Sequence, residues 1–229
     1  MPEFVPTPAD TTLTSLFEGE SEMAALMRAY DWNAHPLGDP AHWPDSLKTT
    51  LRLILHSSFP MFVWWSEELY MFHNDAYLPA LGKKHPQALG ASAREMWAEI
   101  WEQIGEVVKG VMEEGTSFYA RELRLLLERK GFLEETYWTF SYSPAPAEGG
   151  RVGGMFCACS EVTSTVLGQR RLKIINDVAE ATVLVTSLQE AGRQISQVLS
   201  RDWEDLPFSL IYLLSAMAAG PSCWGSRVS

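Results

Sequence analysis

Apolar positions along this chain recur with two different periods, and the switch between them falls near residue 58. Before it the period is helical. Met23, Leu26 and Met27 share one face of a helix predicted over residues 21–30, with Ser21 suited to cap its start. A loop rich in Pro, Gly and Asp runs from Trp32 to Trp43. Pro44 then opens a second helix carrying Leu47, Leu51, Leu53, Ile54 and Leu55. After residue 58, two short apolar and aromatic runs, Pro60 to Trp65 and Leu69 to His73, flank Ser66-Glu67-Glu68 and predict a hairpin. Asn74 can bond its own backbone and close the following turn. A short helix from Ala76 to Leu81 ends at Gly82. A single long helix from Ala93 to Glu114 then keeps Trp97, Ile100, Trp101, Ile104, Val107, Val108 and Val111 at the 3.6 period, with Gly115 as its cap. Three longer strands follow: Phe118 to Leu127, Glu135 to Ser143 and Val152 to Ser160. In the second, Trp138, Phe140 and Tyr142 alternate with Tyr137, Thr139 and Ser141.

This order, β-β-α-α-α-β-β-β, predicts an α+β fold with a five-stranded antiparallel sheet, its helices on one face, and the N-terminal helices added before it. Past Ser160 the helical period returns. Leu167, Leu172, Ile175 and Ala179 form one stripe. Ser187 and Glu190 make a capping box for another helix, with Leu188, Ala191, Ile195 and Val198 three and four apart. Phe208 to Leu214 reads as a strand, and Ser215 to Ser229 carries no strand period. Residues 1–14, rich in Pro and Thr, are expected to be disordered.

Composition narrows the function. The chain has 229 residues, 46% of them hydrophobic, and 9 Trp and 10 Phe can build a substantial core. A net charge of −11 argues against nucleic-acid partners, which require clustered Lys and Arg, and against an anionic membrane surface. Three cysteines and no secretory leader fit a reducing cytoplasm. The uncharged run from Leu206 to Ser226 is broken by Pro207, Gly220, Pro221 and Gly225. Its apolar part is shorter than the roughly 20 residues of a spanning helix.

Candidate chemistry is sparse. Cys157 and Cys159 lie on one face of a strand, but two ligands without a second pair make no zinc site, and buried thiols are their ordinary role. Gly149-Gly150-Arg151-Val152-Gly153-Gly154 precedes a strand rather than a helix, so it is a hairpin turn and not a phosphate loop. Glu113-Glu114 and Glu134-Glu135 are adjacent and do not converge on one substrate. No nucleophile, base and orienter set is present, so no catalytic and no metal residue is assigned.

Asn74-Asp75-Ala76-Tyr77, Gly131 with Glu134-Glu135-Thr136-Tyr137, Phe140-Ser141-Tyr142-Ser143-Pro144 and Glu161-Val162-Thr163, in that order and spacing, resemble a PAS domain of the kind found at the N-terminus of bacterial sensor histidine kinases. The resemblance covers roughly His42 to Thr163. It implies an extension with a short helix over 1–40, a PAS domain over 41–163 and a signalling helix over 164–186. An incomplete GAF-like segment over 187–215 and an irregular tail over 216–229 complete the layout, as a truncated reading frame would leave it. It also implies a ligand pocket between sheet and helices, with Phe62, Trp64, Phe72, Asn74, Trp97, Trp101, Phe140, Tyr142 and Phe156 as candidate lining residues. The competing reading is that these aromatics only fill the core. Glu161 and Thr163 match the acidic-x-Thr signature at the start of an output helix, and are candidates for signal relay. The implied partners are a second copy of the chain, a small-molecule ligand, and a kinase domain or response regulator downstream. No cofactor is predicted. Haem would call on His56, His73 or His85, which lack the expected helical context. A flavin photoreceptor would need an Asn-Cys-Arg-Phe motif that this chain lacks.

Overall fold

The computed structural model describes residues 13–201 and 204–213, and the backbone of 222–227. It divides into two compact units, Met1–Thr163 and Ser164–Ser229.

The first unit is built on five antiparallel strands: β1 (Met61–Trp65), β2 (Tyr70–His73), β3 (Phe118–Leu127), β4 (Glu134–Pro146) and β5 (Val152–Glu161). Their order across the sheet is β2-β1-β5-β4-β3, with both hairpin partners adjacent and β5 inserted at the centre. Register follows from alternation. Phe62 pairs with Cys157, and Trp64 with Met155 and Met71, which places these side chains on one face. On β4, Trp138, Phe140 and Tyr142 join them, while Tyr137, Thr139 and Ser141 turn away. Edge strand β3 carries a bulge between Ala120 and Leu123, where Glu122 takes φ 52°.

One face packs on short helical pieces: α3 (Leu78–Leu81), α4 (Ala93–Met96), α5 (Trp101–Lys109), with 3₁₀ turns at Asp75–Tyr77 and Ala98–Ile100 and a π-turn at Gly110–Glu114. The single helix expected over 93–114 is therefore broken. Trp97 sits at φ −115°, ψ 31°, outside the helical basin, and the Lys84 ammonium bonds the Met96 carbonyl that a continuous helix would have used. Gly115 closes the run at φ 67°, as expected of a left-handed cap.

The other face is covered in part by α1 (Glu22–Ala29) and α2 (Asp45–Leu55). Phe17, Met23, Met27, Trp32, Trp43, Leu47, Leu51 and Ile54 pack there against Val63, Trp65 and Phe72. The helices of this unit thus lie on both faces. α1 is fastened at its start. Asp75 accepts from the Glu22 and Met23 amides at 2.9 Å each, and Ser21 Oγ accepts from Ala24 N at 3.1 Å. Of the segment expected to be disordered, residues 1–12 lie outside the described residues, and 13–16 form a helical turn.

The second unit contains α6 (Thr163–Thr182) from its second residue onward, α7 (Leu188–Leu199), β6 (Phe208–Leu213) and β7 (Ser222–Arg227). Ser187 Oγ accepts from Glu190 N at 3.2 Å, the cap read from the sequence. The tail expected to be irregular contains β7, which pairs antiparallel with β6 from Phe208↔Arg227 to Leu213↔Ser222. Backbone pairing needs no side-chain period, and Gly225 leaves none to read. The rest of the tail, 216–221 and 228–229, lies outside the described residues. Among the described residues, no helix is long and apolar enough to cross a membrane.

Candidate functional site

Between the sheet and the broken helices lies a cavity of about 30 Å³. The sheet contributes Phe62, Trp64, Trp138, Phe140, Tyr142, Cys157 and Cys159 to its wall, and the helical side contributes Tyr77, Ala80, Trp97, Ile100 and Ile104. Of the candidate lining residues, the fold brings together Phe62, Trp64, Trp97, Phe140 and Tyr142. The rings are in contact: Phe62 stacks on Trp64 at 4.9 Å, and Phe140 lies 4.6 Å from Tyr142.

Four candidates lie elsewhere. Phe72 and Phe156 have the opposite strand parity and belong to the core beneath α1 and α2. Trp101 stands 6.1 Å from Trp64, outside the lining, with the Arg94 guanidinium 5.0 Å from its ring. Asn74 is a staple. Its amide donates to the Ile54, Ser57 and Phe59 carbonyls at 3.1, 2.9 and 2.7 Å, and its Oδ1 accepts from Met61 N at 3.1 Å. These bonds tie the end of α2 to the start of β1 and leave the side chain no part in the cavity.

The cavity is lined by no charged side chain. Burial pushes the Tyr77 and Tyr142 hydroxyls and the Cys157 thiol well above their ordinary values, so all three stay protonated at neutral pH. A thiol held in that form is a poor nucleophile. The indole N–H groups of Trp64 and Trp97 are buried without a hydrogen-bond partner, whereas Trp138 Nε1 donates to Thr136 Oγ1 at 2.9 Å. None of His56, His73 and His85 lines the cavity. His73 is buried beside Tyr77, and burial lowers its pKa to about 4. His85 Nε2 meets Glu22 Oε1 at 2.9 Å, and His56 Nδ1 meets the Arg52 carbonyl at 2.9 Å. Among the described residues there is no group of three or more His, Cys, Asp or Glu that could hold a metal ion.

A second feature lies at the end of the sheet. Arg129, only 8% exposed, donates to Glu161 with both terminal nitrogens at 2.7 and 2.9 Å, and to the Pro79 carbonyl at 3.2 Å. Its Nε also reaches Glu134 Oε1 at 3.4 Å. Thr163 Oγ1 donates to Glu161 Oε1 at 2.8 Å and accepts from Tyr137 N at 2.9 Å. Burial works to raise the Glu161 carboxyl, but the bonds from Arg129 and Thr163 outweigh it and hold the group below its ordinary value. The relay candidates Glu161 and Thr163 are therefore joined in one network with Arg129, a residue absent from the sequence-based assignment. The Arg129 backbone is placed by Gly82. Lys83 N donates to the Arg129 carbonyl at 2.8 Å, and a Cβ on Gly82, at φ 52°, would stand 2.3 Å from that oxygen. Nothing in the sequence pattern singles out Arg129, which stands two residues before Gly131.

Residues 55–167 match the family model described as "PAS fold". A search of curated proteins returned no match. Among solved structures, the PAS domain of Bordetella pertussis BvgS is 20% identical at a TM-score of 0.44, covering 58% of this chain and 97% of that one. A sensory box sensor histidine kinase from Vibrio cholerae is 15% identical at a TM-score of 0.36, covering 52% of this chain and 93% of that one. An RNA-binding light-oxygen-voltage receptor is 18% identical at a TM-score of 0.43. The match covers 62% of this chain and 40% of the receptor's length.

Proposed function

The chain carries a PAS domain over residues 55–167, and from that premise we propose a sensory and dimerisation module of bacterial two-component signalling. A small ligand or partner alters the packing between sheet and helices, and the change reaches α6. In a longer parent protein, α6 would bias a histidine kinase between two states, which a few kcal/mol of differential binding suffices to do. The single observation that carries this reading is the Arg129–Glu161–Thr163 network. Pro79 adjoins Ala80 and Arg129 follows Leu127 by two residues, both of them cavity-wall residues, while Thr163 is the first residue of α6. A change in the wall thus has a continuous hydrogen-bonded route to the start of that helix. Exposed Leu172 and Ile175 on α6 support a second copy of the chain as partner. A helix followed by two paired strands after residue 187 is compatible with the opening of a GAF domain.

Hydrogen exchange of residues 164–182 tests the relay. Ile104→Ala, which enlarges the cavity, is expected to change exchange in α6 by about threefold or more. Combining it with Thr163→Val is expected to abolish that change. Equal effects of Thr163→Val and of Ser164→Ala would sink the relay. A second reading, an interaction module that binds no ligand, is favoured by the cavity volume of about 30 Å³, far below the roughly 300 Å³ at which ligand sites begin. Under it, Ile104→Ala leaves exchange in α6 unchanged.

A further inference from the structure

We infer that Lys84 and Glu99 are positioning residues that couple the cavity wall at Trp97 to the Arg129–Glu161–Thr163 network. The inference rests on the relay reading above. It adds a second, charged connection, through residues that neither line the cavity nor belong to the network.

The break at Trp97 is the first evidence. In a continuous helix the Met96 carbonyl would accept from Ile100 N, one turn further on. Here Ile100 N donates to the Trp97 carbonyl at 3.0 Å, and the Lys84 ammonium donates to Met96 in its stead. The same ammonium stands 4.5 Å from the centre of the Trp97 ring. Trp97 and Ile100 line the cavity, and Lys84 does not. One side chain outside the cavity thus holds both the backbone and a ring of its wall.

Glu99 carries the connection onward. Its Oε1 accepts from Lys84 Nζ at 2.6 Å and from Glu128 N at 3.1 Å. Glu128 directly precedes Arg129 in the chain. Lys83, next to Lys84, donates its amide to the Arg129 carbonyl at 2.8 Å. The 3₁₀ turn Gly82–Lys84 and Glu99 therefore fix this stretch at two points, the Glu128 amide and the Arg129 carbonyl. From that fixed backbone the Arg129 side chain reaches Glu161 and the Pro79 carbonyl.

Burial gives these bonds their weight. The Lys84 and Glu99 side chains are 16% and 15% exposed, whereas Asp45 in its pair with Lys48 is 97% exposed and Lys130 in its pair with Glu134 is 61% exposed. Exposed ion pairs contribute little to stability. Removing one member of a largely buried pair leaves the other charge desolvated and disturbs whatever that charge was holding.

A double-mutant cycle on the full chain tests the coupling. Lys84→Met keeps the length of the side chain and deletes its charge, and Thr163→Val deletes the hydroxyl that accepts from Tyr137 N. Independent distant sites combine to within about a factor of two in the unfolding constant. The double variant, followed by urea denaturation, is expected to depart from the product of the single effects by about fivefold or more. The Tyr137 amide signal in ¹H–¹⁵N NMR is expected to move in Lys84→Met and to stay in Lys48→Met, which alters an exposed bond to the Ala41 carbonyl. Glu99→Gln keeps an acceptor for Glu128 N without the charge, and takes the place of Lys84→Met should that variant fail to fold. Single effects that combine to within twofold, or an unmoved Tyr137 signal, overturn the inference. A coupled cycle with hydrogen exchange of residues 164–182 unchanged by Lys84→Met upholds the positioning role and overturns the relay reading instead.

Discussion

The two cores on either side of the sheet draw on the same residue types and treat their tryptophans in opposite ways. Beneath α1 and α2, Trp32 and Trp43 pack edge to face at 4.8 Å, and both indoles donate to backbone carbonyls. Phe72 stacks on Trp32 at 5.5 Å, so rings and polar tips are satisfied together. Across the sheet, Trp64 and Trp97 are as deeply buried, yet their N–H groups are unpartnered and a cavity lies beside them. The helices differ too. α2 is a regular helix of 11 residues, whereas the cavity side is broken into short α, 3₁₀ and π pieces. Local rules are kept beneath α1 and α2 and are broken on the cavity side. The N-terminal core is packed on regular helix with its polar tips paired, and the cavity side is neither.

Substitutions on the two sides should therefore have unequal effects. Trp32→Ala removes a buried, hydrogen-bonded ring from the N-terminal core, and is expected to cost about 3–5 kcal/mol by urea denaturation. A loss under about 1 kcal/mol would mean that this core is dispensable. A smaller effect is expected from pH. His73 is buried and its folded pKa of about 4 lies below its ordinary 6.5, so the unfolded chain binds the proton more readily. Stability is then full above about pH 6.5 and falls as pH drops toward 4, by about 2 kcal/mol between pH 7 and 4.5. His73→Gln is expected to flatten that slope, and an unchanged slope would assign it to other groups. The smallest effect is expected at Trp97→Phe. It deletes an indole whose N–H has no partner, so the change in denaturation midpoint should correspond to less than about 1 kcal/mol. A loss as large as that of Trp32→Ala would erase the contrast between the two cores.

Much of this contrast was legible before folding, and some of it could not be. Alternation put Trp138, Phe140 and Tyr142 on a common face, and the structure keeps them in one core. The same rule separates Phe62 and Trp64 from Val63 and Trp65, but parity alone does not say which set faces which layer. Pairing with Cys157 and Met155 of β5 decides it, and with it the loss of Phe72 and Phe156 from the candidate pocket. The helix expected over 93–114 kept its apolar period and still broke at Trp97, because Lys84, distant in sequence, captures the Met96 carbonyl.

The sequence by itself determined the order of the five strands of the main sheet along the chain, the Ser187 cap, and the Glu161-Val162-Thr163 run; the turn after Asn74 was also read from it, though not through the Asn74 side chain, which bonds elsewhere. Each of these is written within a few neighbouring residues, where period, caps and turn chemistry act. Tertiary structure alone decided that Asn74 staples α2 to β1 rather than facing a ligand. It also decided that Arg129 joins Glu161 across 32 positions, and that two indoles are left unpaired beside a cavity. These depend on which distant groups the packed sheet and helices bring within hydrogen-bond reach, and no local pattern specifies that distance.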